Sequence, residues 1–244
     1  MFPIINIGPL AIQTPGLILI IGLWTGLWIA EKYLSVTGIS SNTFNNLVLL
    51  ALVAGILGGR ITYAIQYADA FLLDPRSLIS LNTNLFDLRG GLLFAFLTGL
   101  IYGGRKGLDL WVTLDALTPL FGVLGITLGL SNMASGSNYG AVSNLPWAVE
   151  LWRVKRHPTQ IYKIILSIII IFILWPGREK VQKLKPGQYF LLFVAASSVG
   201  YIFIATFTAN YNLLAGGFRL EQISAWLILA VSLWGFNRRS KENI

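Results

Sequence analysis

Residues 128–162 read LGLSNMASGSNYGAVSNLPWAVELWRVKRHPTQIY, and this stretch interrupts a chain that is otherwise written in apolar residues. Small and amide-bearing side chains come first, at Gly129, Ser131, Asn132, Gly136, Ser137, Asn138 and Gly140. Cations follow, ending in Arg156-His157-Pro158, which contains the one histidine of the protein. On both sides the text returns to long hydrophobic runs, so the stretch reads as a polar connection between two membrane crossings.

Composition supports that reading. Of 244 residues, 55% are hydrophobic and 11% charged, whereas about a quarter of residues are charged in soluble domains. The mean hydropathy is +0.69. Cysteine is absent, which excludes disulfides, thiolate metal sites and a cysteine nucleophile. One histidine leaves no basis for a clustered metal site, and no cofactor is expected. The formal charge of +8 suggests nucleic acid only superficially. The basic residues sit in short loops beside apolar runs, and no aromatic-basic binding module is visible.

A helix needs ~20 mostly apolar residues to cross the hydrocarbon of a bilayer, because its backbone polar groups must be satisfied within the segment. Seven such segments are expected, near 15–34, 45–67, 90–104, 110–130, 159–175, 188–209 and 222–236. The fold is therefore expected to be all-α, a single polytopic membrane domain over residues 1–244. Lysine and arginine set the orientation. With the N-terminus outside, Lys32, Arg105, Lys106, Arg178, Lys180, Lys183, Lys185, Arg238, Arg239 and Lys241 face inside; they outnumber Arg76, Arg89, Arg153, Lys155, Arg156 and Arg219 outside. The C-terminus is then inside and Leu128–Tyr162 outside. The first segment lacks a convincing cleavage site and is expected to be retained. Met1–Thr14, with Gly8-Pro9, suits an interfacial segment or a turn.

Several polar residues interrupt the crossings. Arg60 lies within the second, where mid-membrane charge is expensive; it either snorkels to the interface or holds a phosphate or carboxylate. Arg89, beside Gly90-Gly91 at the start of the third, is either an interfacial anchor or a headgroup ligand. Asp115 and Pro119 fall in the fourth, and Asp115 is expected to pair with Arg60 or another buried cation. The glycines and amides of 129–140 form either a plain loop or a cradle whose backbone approaches a ligand closely. His157 is either an interfacial histidine bonded to backbone or part of an electropositive mouth for an anionic lipid.

The sequence resembles the prolipoprotein diacylglyceryl transferases, seven-span enzymes of the bacterial inner membrane. The resemblance is carried by Gly8-Pro9-Leu10, Gly16-Leu17, Gly59-Arg60 with Tyr63, Gly90-Gly91-Leu92, and Asp115 with Pro119. Asn132, Gly136 and Gly140 match the family signature, and Pro146-Trp147-Ala148-Val149 matches beyond it. Arg156-His157-Pro158-Thr159-Gln160-Ile161-Tyr162 is the most specific match. Departures fall where the family places charge. Arg89 stands for a histidine, Gly129 or Leu130 for the signature arginine, Ser137 for its glutamate and Pro15 for a tyrosine; Arg219 is a displaced substitute for a C-terminal arginine.

The resemblance implies transfer of diacylglyceryl from phosphatidylglycerol to a lipobox cysteine. His157 and Arg89 are then the candidate catalytic residues. Arg60, Asn132, Gly136, Gly140, Arg156, Gln160 and Tyr162 are the candidate phospholipid ligands. The partners implied are phosphatidylglycerol or another anionic phospholipid, the signal peptide of a preprolipoprotein, and the membrane. A catalytically silent relative that binds phospholipid or acts as a scaffold is the alternative. A transporter has less support, since no inverted repeat is evident.

Overall fold

The structure is a computed structural model that describes residues 4–7, 10–73, 86–209, 211–214 and 217–241. The expected Gly8-Pro9 turn and the loop at Asp74-Pro75-Arg76 lie outside the described residues. The chain is mostly helical. In order come β1 (Ile4–Ile7), β2 (Leu10–Gln13), α1 (Thr14–Thr37), α2 (Ser41–Gln66), α3 (Ala68–Leu73), α4 (Leu88–Arg105) and α5 (Leu110–Ser135). They are followed by β3 (Val149–Leu151), β4 (Val154–Arg156), α6 (Thr159–Ile173), α7 (Glu179–Gln182), α8 (Gln188–Ala205) and α9 (Leu220–Lys241). Each of the seven expected segments is a helix, and α1, α2, α5 and α8 are long and apolar enough to cross a membrane. This is a membrane protein.

Two antiparallel hairpins, β1 with β2 and β3 with β4, add to the helices. The first occupies the place read as an interfacial segment or turn. Its isoleucines favour extended backbone, and Ile4 pairs with Gln13 and Ile7 with Leu10.

The molecule divides into two compact units, residues 38–113 and residues 1–37 with 114–244. In the unit of residues 38–113, Ser40 caps α2 by accepting the Thr43 N–H, and Asp87 caps α4 by accepting the Gly90 N–H at 2.6 Å. The two helices pack through small residues, as membrane helices do when close approach replaces a hydrophobic driving force. Gly55 and Gly59 of α2 are four apart, as are Gly91 and Ala95 of α4. A Cβ at Gly55 would lie 3.2 Å from both the Gly91 carbonyl oxygen and the Ala95 methyl. At Gly58 it would collide with Phe94, and at Gly59 with Phe86.

The larger unit is organised around α5. On one side Gly22 and Gly26 of α1 lie against Thr127 and Leu120 of α5. On the other, Gly122, Gly125 and Gly129 of α5 receive Ile171, Ser167 and Ile164 of α6. Helix α6 also meets α8 where Gly200 accepts Leu166, and α8 meets α9 at Leu191 and Gly235.

Asp115 reaches from α5 to the start of α8. The side chain is 3% exposed, and its oxygens accept the backbone N–H groups of Gly187 at 2.6 Å and Phe190 at 2.8 Å. A carboxylate on α5 thus satisfies the first donors of α8, where the helix dipole also favours negative charge. Gly187, at φ +86°, makes the turn into α8 that a residue with a Cβ resists. Beneath this junction Tyr189 donates its hydroxyl to the Leu174 carbonyl at 2.8 Å and packs on Tyr33, ring centroids 4.8 Å apart.

Candidate functional site

The polar stretch begins as the end of a helix. Gly136, at φ +71°, terminates α5, and the Ser137 N–H reaches back to the Asn132 carbonyl at 3.0 Å. That pairing, five residues apart across a left-handed glycine, closes a helix C-terminus. Asn132 completes the closure, its side-chain oxygen accepting the Ser137 hydroxyl at 3.0 Å. Asn132 and Gly136 therefore shape the exit of α5.

The chain then runs between two other backbone segments, bridged to each. On one side the Ala141 N–H donates to the Phe207 carbonyl at 2.8 Å, and the Ala209 N–H to the Tyr139 carbonyl at 3.2 Å. On the other, the His157 N–H donates to the Ala141 carbonyl at 2.9 Å, and the Ser143 N–H to the Lys155 carbonyl at 3.0 Å. Gly140 sits where these backbones crowd. A Cβ there would be 2.3 Å from the His157 carbonyl oxygen and 2.9 Å from that of Phe207. Packing leaves no room for a side chain at Gly140.

Two buried residues of α6 lock the stretch to the helix that follows it. Gln160, 2% exposed, donates to the Ser137 carbonyl at 2.8 Å, and Thr159, fully buried, donates to the Asn138 carbonyl at 2.9 Å. The Gln160 amide thus holds the loop from the first turn of α6. Thr159 was legible in the sequence only as one position of the Arg156–Tyr162 heptad.

Arg156, His157 and Tyr162 come together on this frame. The guanidinium of Arg156 lies 4.7 Å from the Tyr139 ring centroid and donates to the Gly140 carbonyl at 3.4 Å, while its Nε is buried with no hydrogen-bond partner. Nδ1 of His157 is 3.3 Å from the Tyr162 hydroxyl, which also accepts the Trp147 indole N–H at 2.9 Å. The His157 ring packs on Phe207, centroids 4.8 Å apart. Trp147 was legible only as part of a motif, and Phe207 gave no sequence signal because its place comes from the backbone bridge between 139–141 and 207–209.

Arg219 is also committed. It donates to the Ala205 carbonyl at the end of α8 and lies over the Tyr211 ring at 4.1 Å. It pins the segment that follows α8, the same segment that supplies Phe207. Next to it, Glu221 accepts the Asn212 backbone and side-chain N–H groups, each at 3.1 Å.

Arg60 and Arg89 belong to the unit of residues 38–113. The Asp87 N–H donates to the Gly59 carbonyl at 3.0 Å, which sets the start of α4 beside the turn of α2 that carries Arg60. Arg60 is half-buried and Arg89 exposed. The place that the signature arginine would take is closed in this chain if it falls at Gly129. A Cβ there would be 2.5 Å from Ile164 and 3.2 Å from the Gln160 carbonyl oxygen. Ser137, in the glutamate position, spends its hydroxyl on Asn132 and Ser135.

The hairpin ahead of α6 has an unusual tip. Val149 pairs with Arg156 and Leu151 with Val154, leaving a two-residue turn at Trp152 and Arg153. Their φ values are +56° and +62°. Left-handed backbone costs a residue with a Cβ about 1–2 kcal/mol, and Asn-Gly is the pair this turn favours. No metal-ligating cluster exists among the described residues.

Residues 3–237 match the family described as Prolipoprotein diacylglyceryl transferase. Among similar proteins, one from Bacillus licheniformis is 30% identical, covering 97% of this chain and 92% of the relative. Others come from Bordetella avium, at 28% identity over 95% and 90%, and Allorhizobium ampelinum, at 26% over 96% and 88%. All three are named phosphatidylglycerol–prolipoprotein diacylglyceryl transferase. A match over nearly the whole chain, on a helical frame in which the Arg156–Tyr162 heptad is built into one network, makes this chain a member of the prolipoprotein diacylglyceryl transferase family.

Proposed function

We propose that the protein transfers the diacylglyceryl group of phosphatidylglycerol to the lipobox cysteine of a prolipoprotein, at the outer face of a bacterial inner membrane. In this reading the seven long helices all cross, with the N-terminus outside and the C-terminus inside, as one membrane domain. The observation that carries the reading is the Arg156–His157–Tyr162 arrangement in a chain of this family. It offers a fixed cation with a buried, unpartnered Nε beside an imidazole whose Nδ1 is engaged.

The chemistry is a displacement at carbon. The cysteine sulfur attacks the glyceryl carbon that bears the phosphodiester oxygen, the carbon–oxygen bond breaks, a thioether forms, and glycerol phosphate leaves. The thiol proton passes to Nε2 of His157, and Arg156 stabilises the charge growing on the departing phosphate. A guanidinium does not give up its proton in proteins, so Arg89 cannot serve as a base. Its role, like that of Arg60, is to bind lipid phosphate on its own unit. Asn132, Gly136, Gly140 and Gln160 act on the lipid through the backbone they hold in place, and Tyr162 through His157. No supporting observation favours the silent alternative.

The test is reconstitution of the full chain with phosphatidylglycerol and a lipobox peptide. Thioether product and glycerol phosphate should appear in equal amounts. Replacing a general base lowers turnover by about 10²–10⁴-fold, so His157→Gln should do so while leaving the melting temperature nearly unchanged. Wild-type protein that binds phosphatidylglycerol but forms no thioether would overturn the reading.

A further inference from the structure

The tip of the β3–β4 hairpin is not explained by the transfer site or by the packing of the unit. Trp152 is 66% exposed, and Arg153 beside it is also exposed. Both sit in left-handed backbone, at the two positions where asparagine and glycine would be comfortable. Around them Trp147 and Val149 present further apolar surface, and Lys155 adds a second cation. Leu151 alone turns inward, 6% exposed.

The place of the hairpin in the chain limits what can cover this surface. It lies between Ser135, where α5 ends, and Thr159, where α6 begins. Helix α5 is long and apolar enough to cross a membrane, and α6 is a shorter apolar helix of 15 residues. A hairpin strung between such helix ends emerges at bilayer level. Tryptophan is the residue that settles at the boundary between acyl chains and headgroups, and arginine and lysine beside it meet the phosphates of anionic lipids. Strained residues that persist on a surface point to a function for their side chains.

We propose that the Leu151–Val154 turn is a bilayer-interface anchor, with Trp152 seated at the acyl–headgroup boundary and Arg153 and Lys155 on anionic lipid phosphates. The anchor holds β4, and with it Arg156 and His157, at the surface from which a phospholipid would enter. The proposal rests on the membrane character of the chain, and it stands or falls independently of diacylglyceryl transfer.

The chain has no cysteine, so one introduced thiol reports position without background. Glu150→Cys, on β3, carries an environment-sensitive fluorophore in the full-length protein, reconstituted in phosphatidylcholine vesicles with or without phosphatidylglycerol. Lys183→Cys provides an exposed loop control. The label at position 150 should be quenched by a shallow lipid-borne nitroxide and protected from aqueous iodide, more so with phosphatidylglycerol present. Replacing the tip by its easier turn, Trp152→Asn with Arg153→Gly, should abolish the lipid quenching although the turn itself becomes less strained.

Arg153→Gln, which leaves Trp152 in place, tests the electrostatic part. One cation near an anionic surface changes the docking equilibrium by about fivefold, so this variant should lose that much of the phosphatidylglycerol dependence. Lipid quenching that is equal with the native and Asn-Gly tips overturns the proposal. So does iodide access equal to that of the Lys183→Cys control. Protection that appears only when a lipobox peptide is added also overturns it, and would assign the surface to the peptide.

Discussion

At the scale of single residues, the site depends on hydroxyl and amide groups that fix charged ones. Tyr162 shows this most directly, since its oxygen joins the Trp147 indole to Nδ1 of His157. If that link orients the imidazole in the reaction, Tyr162→Phe removes one neutral hydrogen bond of ~1 kcal/mol and lowers kcat by about fivefold. Trp147→Phe, which leaves the Tyr162–His157 contact in place, should cost less; initial rates with saturating phosphatidylglycerol make the comparison. Glu221, in the first turn of α9 and outside the apolar segment 222–236, offers a pH-dependent counterpart. The N–H groups of Glu221 itself and of Asn212 hold its carboxyl below the usual carboxylate range. A depressed carboxylate stabilises the fold above its ordinary pKa, and that contribution is lost as pH falls through the lowered value. The segment around Asn212 should therefore become susceptible to acid-active protease only below the ordinary carboxylate pKa, and Glu221→Gln should remove that dependence.

At the scale of elements, helix ends decide what the polar residues can do. Asp115 closes the start of α8 from within α5, and Gly136 closes α5 itself. Hydrogen bonds to a charged group are worth about 1.5–3 kcal/mol, and Asp115 accepts two from backbone. Asp115→Ala should lower thermal stability in detergent by more than any surface substitution, whereas Asp115→Asn, which retains one acceptor, should fall between the two. The residue was visible in the sequence as an oddity inside an apolar segment. Its partner was not, because Gly187 and Phe190 lie more than seventy positions away and donate through backbone atoms that every residue carries. The hairpins were missed for a related reason. Val149–Leu151 and Val154–Arg156 are three residues each, too short for an alternation to be counted, and isolated bridges at Val142–Arg156 and Gly140–Thr208 extend the pairing.

At the scale of the whole molecule, lysine and arginine placement yields a directional expectation. In cells, Lys183→Cys should react with a membrane-impermeant thiol reagent only from the inside, and Asn144→Cys only from the outside. Reaction of both from the same side would refute the orientation. Aromatic partners suit the basic residues assigned to the inner face: Lys32 lies over Trp28 at 4.4 Å, Arg178 over Phe172 at 4.9 Å and Arg238 over Trp234 at 5.6 Å. Cations with aromatic rings are what a membrane interface collects.

The sequence by itself determined the membrane class, the positions of the seven principal helices and the family, because hydropathy and the Arg156–Tyr162 heptad are properties of contiguous residues. It also marked the residues that cluster, Arg156, His157 and Tyr162. The tertiary structure decided what the marked residues do. Asn132 and Gly136 close the end of α5, Gly140 lets three backbone segments approach, and Gln160 clamps the Ser137 carbonyl from α6. Close packing at Gly129 leaves no room there for the arginine of the family signature, and the strained Trp152–Arg153 turn acquires meaning only from the helix ends on either side of it. Composition and periodicity act along the chain, whereas hydrogen-bond partners and steric exclusion act across it.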